Sequence, residues 1–186
     1  MGTVIATTTS DATSPRDRAF AGAVAGDWFV LHTKSRQEKI LAADLSAMDI
    51  PHFLPLARQY RQYGGRRVTI EEPLFPGYLF LRGTRDHAFA ADRTKRVARI
   101  IPVSDQKRLE WELSNLHRAL GSDCPFAPYP YLRKGVRVEV ASGPLMGLQG
   151  VIEDRSGRAN RLILQVDMLG SAVSLEVDGA LLEPID

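Results

Sequence analysis

Leu74-Phe75-Pro76-Gly77-Tyr78-Leu79-Phe80-Leu81 is the most apolar stretch of this chain. Pro76-Gly77 interrupts it, because proline lacks an N–H and glycine readily takes a positive φ. The pattern predicts a bent or bulged strand rather than a helix. A strand shows alternate side chains to opposite faces. The large residues therefore cannot all enter one core. Some are expected on a second face, where an exposed aromatic patch marks a partner site.

Upstream of this stretch, Arg58 to Tyr63 and Arg66 to Ile70 flank Gly64-Gly65. Two β-compatible runs around Gly-Gly predict a hairpin. It is too polar to be core, carrying Arg58, Arg61, Arg66 and Arg67 with Tyr60 and Tyr63 between them. Further upstream, Trp28-Phe29-Val30-Leu31-His32 reads as a buried strand. Thr33 to Arg36 forms a polar turn, and Ile40, Leu41, Leu45 and Met48 predict a helix that Pro51 stops.

Downstream, a short helix is expected near Asp86 to Asp92 and a strand over Val97 to Val103. Leu109, Leu113, Leu116 and Leu120 recur at helical spacing, the best amphipathic signal in the chain. Trp111 lies about 200° around that helix from Leu109, off the apolar stripe, and is expected under the linker or against a second domain. Residues 27–120 therefore read β-α-β-β-β-α-β-α, an α+β module with helices on an antiparallel, ferredoxin- or RRM-like sheet.

Residues 121–132 hold Pro125, Pro128 and Pro130 and read as a semi-extended linker. Residues 133–186 alternate apolar residues at Val136/Val138/Val140, Leu162/Leu164/Val166/Met168 and Val173/Leu175/Val177. Period-two runs separated by turns predict a small all-β, SH3-like barrel. Gly143, Gly147 and Gly150 are expected at turns. Residues 1–26 carry too little apolar surface to offset ordering entropy and are expected as a disordered tail.

Composition narrows the function. The formal net charge is +2, but residues 27–120 hold 16 Lys+Arg against 11 Asp+Glu, and residues 121–186 hold 6 against 9. Two modules with different partners are expected. No run approaches the roughly 18 apolar residues of a membrane span, and the first 26 residues have no export pattern. A cytoplasmic monomer is the expectation. The one cysteine, Cys124, excludes an internal disulfide and a multi-cysteine zinc site. His32, His52, His87 and His117 form no H-x-x-x-H pair, and there is no Walker or GxGxxG loop. Neither catalysis, nor a cofactor, nor a metal is expected.

Trp28-Phe29-Val30-Leu31, Glu38 in the following helix, and Phe75-Pro76-Gly77-Tyr78 together resemble the N-terminal domain of the NusG family of transcription elongation factors. Gly135-Val136-Arg137-Val138, Gly143-Pro144, Gly147 and Gly150-Val151-Ile152 resemble a KOW motif. Both resemblances occur in the family's order and cover residues 27–186. The stretch Glu72 to Phe80 is closer to the specialised RfaH-like branch than to housekeeping members. The resemblance implies docking on the clamp helices of RNA polymerase through Trp28, Val30, Phe75, Pro76, Tyr78 and Phe80. It implies non-template DNA near Lys34 and Arg36, with the hairpin arginines Arg58, Arg61, Arg66 and Arg67 reaching upstream DNA. The KOW domain would recruit a small-subunit ribosomal protein or the termination factor Rho. The implied activity is suppression of pausing or termination.

A different class remains open: a stand-alone RNA-binding or ribosome-associated KOW protein with an RRM-like sheet. RRM sheets stack bases on exposed aromatics beside basic strands. Here the aromatics cluster with Pro and Leu, and no RNP-type run is present. The strict alternation and the Gly/Pro content of residues 133–186 predict a constitutively β domain, tethered by its linker and leaving Phe75 and Tyr78 unmasked.

Overall fold

The structure is a computed structural model, and it describes residues 18–20, 25–122, 126–129, 135–152 and 161–185. The front module is a four-stranded antiparallel sheet in the order β2-β5-β1-β6, made of β1 (Asp27–Thr33), β2 (His52–Phe53), β5 (Tyr78–Gly83) and β6 (Val97–Pro102). Helices α1 (Glu38–Ala47) and α2 (Arg85–Arg93) lie on one face. That face is closed by Leu31, Leu79 and Leu81 against Leu41, Leu45 and Ala91. Thr84 caps α2 by accepting the His87 N–H at 3.4 Å.

The hairpin forms as expected. β3 (Leu56–Tyr63) pairs with β4 (Arg66–Pro73), from Leu56 opposite Pro73 to Tyr63 opposite Arg66. Gly64 and Gly65 take φ of +54° and +81°. A two-residue turn with both φ positive matches the twist of its strands and selects glycine.

The apolar stretch at 74–81 differs from expectation. β4 ends at Pro73, a turn spans Leu74 to Gly77, and β5 starts at Tyr78. Gly77 has φ +86° and the Tyr78 N–H donates to the Phe75 carbonyl at 3.1 Å. The Pro-Gly pair reverses the chain between two strands instead of bending one.

α3 (Gln106–Leu120) covers the sheet's second face with Leu109, Leu113 and Leu116. Asp105 caps it, accepting the Arg108 N–H at 3.0 Å. Gln106 ties it to the start of β1: its Oε1 accepts the Trp28 N–H at 2.7 Å and its Nε2 donates to the Trp28 carbonyl at 3.0 Å.

The back unit is all β, in the order β12-β8-β9-β10-β11-β7. Its strands are β8 (Val136–Val140), β9 (Gln149–Ile152), β10 (Arg161–Val166), β11 (Ser171–Glu176) and β12 (Leu182–Pro184), plus β7 (Phe126–Tyr129). β7 corrects the reading of 121–132 as a linker: Phe126 pairs with Leu175 and Pro128 with Val173. Proline is tolerated there because β7 is an end strand of the sheet, where a missing N–H breaks no ladder.

Gly143 and Gly147 occupy turns at φ +87° and +77°. Gly150 lies within β9, and a Cβ there would meet the Ile163 carbonyl oxygen at 2.7 Å and Leu162 Cδ1 at 2.8 Å. It is a close-approach glycine, not a turn glycine. Gly150→Ala is expected to destabilise the back unit by about 1–3 kcal/mol through overpacking, read as a lower urea midpoint. An unchanged midpoint would show that the strands separate freely.

Candidate functional site

The front sheet's second face holds Trp28, Val30, Phe53 and Phe80, with Phe75 from the turn beside them. The Phe75 and Phe80 rings meet edge-on at 6.5 Å between centroids. Above them lie the leucines of α3 and a short segment from upstream of the sheet. Ala19 is wholly buried, and the Phe20 ring sits 5.5 Å from Trp28, 4.9 Å from Phe53 and 4.4 Å from His117. Arg82 fastens this segment, donating to the Ala19 carbonyl at 3.1 Å and to Glu110 Oε1 at 2.7 Å, with its guanidinium 5.4 Å from the Trp28 ring centre. Arg18 pairs with Asp49. Among the described residues, packing of the front module therefore extends upstream of Asp27, as far as Arg18. The rest of the expected tail, residues 1–17 and 21–24, lies outside the described residues.

The expected exposed aromatic patch is corrected. Trp28, Val30, Phe75 and Phe80 are each at most 3% exposed. The apolar stripe of α3 needs an apolar surface, and the uncovered sheet face supplies it. At the surface remain Pro76, which is exposed, and Tyr78, which is half-buried.

These two residues sit on a rigidly held turn. Glu38, buried on α1, accepts the Gly77 N–H at 2.7 Å, and the Thr33 N–H donates to the Gly77 carbonyl at 2.8 Å. The His32 ring packs 5.1 Å from Tyr78. The turn thus lies beside the end of β1, where exposed Lys34 and Arg36 follow. The Lys34 N–H is anchored to the Arg96 carbonyl at 2.8 Å, and Arg36 has φ +59°. Folding brings Pro76, Tyr78, Lys34 and Arg36 to one edge. Arg66 is exposed at the hairpin tip. Arg58, Arg61 and Arg67 take their places in the β3–β4 register, opposite Glu71, Val68 and Gln62, while their side chains lie outside the described residues.

A second constellation lies where α3 meets the back unit, and the sequence reading missed it. One apolar cluster runs from Trp28 and Phe80 through Leu109, Leu113 and Leu116 into Leu162, Leu164 and Val173. Around it, polar groups cross the seam. Trp111 Nε1 donates to Gln149 Oε1 at 3.1 Å, and the Gln149 N–H donates to Asn115 Oδ1 at 3.1 Å. Arg118 donates to the Met146 and Gly147 carbonyls at 2.7 and 2.8 Å. Trp111 is 36% exposed and lies against the second domain, with Arg137 5.2 Å from its ring centre. The β domain is therefore docked on α3, correcting the expectation of a merely tethered unit.

Glu112 is the buried charge of this seam, its side chain only 3% exposed. Its two oxygens each accept the Asp167 N–H at 3.3 Å, and Oε1 accepts Arg108 Nε at 3.2 Å. Arg108 also pairs with the Asp167 carboxylate. Burial pushes the Glu112 carboxyl from 4.5 up to about 7, against the pull of Arg108 and with a small push from Asp105. A cleft of about 680 Å³ opens along the seam, lined by Arg108, Trp111, Arg137 and Gln165 among others. A sequence signal was present. Ile163, between Leu162 and Leu164, puts a buried apolar residue on the second face of β10, as expected where a strand is covered on both faces.

Among the described residues no group of three His, Cys, Asp or Glu could hold a metal, and no helix is long and apolar enough to cross a membrane.

Residues 26–115 match the family described as NusG, transcription termination factor nusG. The chain is 24% identical over 167 residues to the transcription termination/antitermination protein NusG of Rickettsia conorii, covering 81% of this chain and 86% of that protein. It is 25% identical over 156 residues to that of Yersinia pestis, covering 78% and 83%. Among solved structures, one described as domain interaction in Thermotoga maritima NusG aligns over 89% of this chain and 100% of that chain, at 20% identity and a TM-score of 0.42.

Proposed function

We propose that the chain is a NusG-type transcription factor whose front module docks on the clamp helices of RNA polymerase and suppresses pausing or termination, a reading supported by the family match over residues 26–115 and by NusG relatives aligned over about four fifths of the chain. The observation that carries this reading is the Phe75-Pro76-Gly77-Tyr78 turn. It lies inside the family-matched segment, is pinned by Glu38 and Thr33, and presents Pro76 and Tyr78 at the surface. Buried Phe75 and Phe80 act as the floor beneath it. A docked factor that prefers the closed clamp shifts the clamp equilibrium by its differential affinity alone, which needs no catalysis.

Lys34 and Arg36, exposed beside the turn, would meet the phosphates of the non-template strand. The hairpin arginines would add to that contact. The back unit would recruit a second partner, a small-subunit ribosomal protein or Rho. The RNA-binding alternative loses support from the covered second face: Trp28 and Phe80 lie beneath α3 and have no face free for base stacking.

Tyr78→Ala is expected to weaken binding to purified core polymerase by about 1–3 kcal/mol, as an aromatic anchor does. Its circular dichroism should stay native, because Tyr78 is only half-buried. Full-strength binding by the double variant Pro76→Ala/Tyr78→Ala would remove the docking site from this turn.

A further inference from the structure

We propose that Glu112 is a proton-operated latch, so that docking of the β unit on α3 takes up a proton and loosens when that proton is lost. The inference does not depend on the polymerase reading. The geometry carries it. Glu112 lies on α3 but is sealed by the β unit, whose Asp167 N–H points at both of its oxygens. When the β unit leaves, the carboxyl group returns to water. Undocking therefore changes the solvation of this acid more than that of any partly exposed group along the seam.

The charged groups around the cleft that Glu112 lines come from both sides. α3 and its cap supply Arg108, Asp105 and Lys107, and the β unit supplies Asp167 and Arg137. Arg108 is divided between two acids, Glu112 within α3 and Asp167 across the seam. Sharing one cation between two carboxylates leaves Glu112 incompletely compensated, and burial then favours its neutral form. Protonation of Glu112 releases Arg108 to Asp167, and the cross-seam pair is strengthened.

The sign follows from linkage. The acid is weaker when docked, at about 7, than when exposed, at about 4.5. Its contribution to docking is full below the lower value and is lost as pH rises through the upper one. Between pH 6 and pH 8 the docking constant should fall about tenfold.

Amide hydrogen exchange of the full-length protein reads this even when the docked state dominates. The Asp167 and Gln149 N–H groups bond across the seam, to Glu112 and Asn115. After correction for intrinsic exchange, their protection should drop about tenfold from pH 6 to pH 8. Amides in the β10–β11 ladder, internal to the unit, should hold steady. Glu112→Gln should abolish the drop while keeping both seam amides protected. Flat protection in the wild type, an equal drop in the β10–β11 ladder, or a drop retained in Glu112→Gln each overturns the latch. Should Glu112→Gln not fold, Arg108→Gln decides. Removing the cation that pulls Glu112 down must move the transition to higher pH, and an unmoved transition overturns the proposal.

Discussion

Trp28→Ala should destabilise the protein by about 3–5 kcal/mol, the range for a large aromatic side chain removed from a packed core. Trp28 is 1% exposed and lies between Phe20, Arg82 and the leucines of α3. β1 is held on both sides by β5 and β6, so the backbone around the cavity resists collapse. Urea unfolding followed by circular dichroism measures the change. A surface polymerase contact would behave differently: the variant would unfold at the wild-type midpoint and lose binding alone. That second pattern would show that Trp28 belongs to the docking face and that the packing of Phe20 and α3 over it is not the solution state.

Leu113→Ala should cost about 2–5 kcal/mol, and its distribution over the molecule matters as much as its size. Leu113 is wholly buried at the middle of α3, in the cluster that spans the front sheet and the β unit. A cavity there loosens a helix that packs against both modules. Exchange protection should fall in β1 and β5 and also at the Asp167 and Gln149 amides across the seam. Loss confined to the front sheet would mean that the β unit's docking rests on the polar contacts of Trp111, Asn115 and Arg118 rather than on the shared apolar cluster. A change under about 0.5 kcal/mol would contradict the burial altogether.

The buried sheet face changes how the front module can meet a partner. Of the six residues that the family resemblance assigns to polymerase docking, four are buried, and only Pro76 and Tyr78 reach the surface. Substituting the buried four tests folding, whereas substituting Pro76 or Tyr78 tests recognition. The turn itself depends on Glu38, which spends its carboxylate on the Gly77 N–H. The acidic residue that helped mark the family resemblance thus has a structural role in this chain: it sets the orientation of the turn.

Most of the helices and strands were legible in the residues alone. The Leu109, Leu113, Leu116 and Leu120 spacing marks a helix, Gly64-Gly65 marks a hairpin, and the alternations after Val136 mark a β unit. These signals are local, because helical and strand periodicities are written into neighbours a few residues apart. Trp111 was also placed correctly off the stripe, since angular position on a helix follows from spacing alone. What faces each element was decided only in three dimensions. A helix's apolar stripe states that something must cover it, not which surface will. So α3 closed over the aromatic face that strand alternation had left free for a partner, Phe20 joined that core from a stretch of otherwise small residues, and Phe126 to Tyr129 found an open sheet edge. Glu112 shows the limit most sharply: one glutamate among the polar positions of an amphipathic helix carries no mark of burial, and only the arrival of a second domain removes it from water and makes its proton matter.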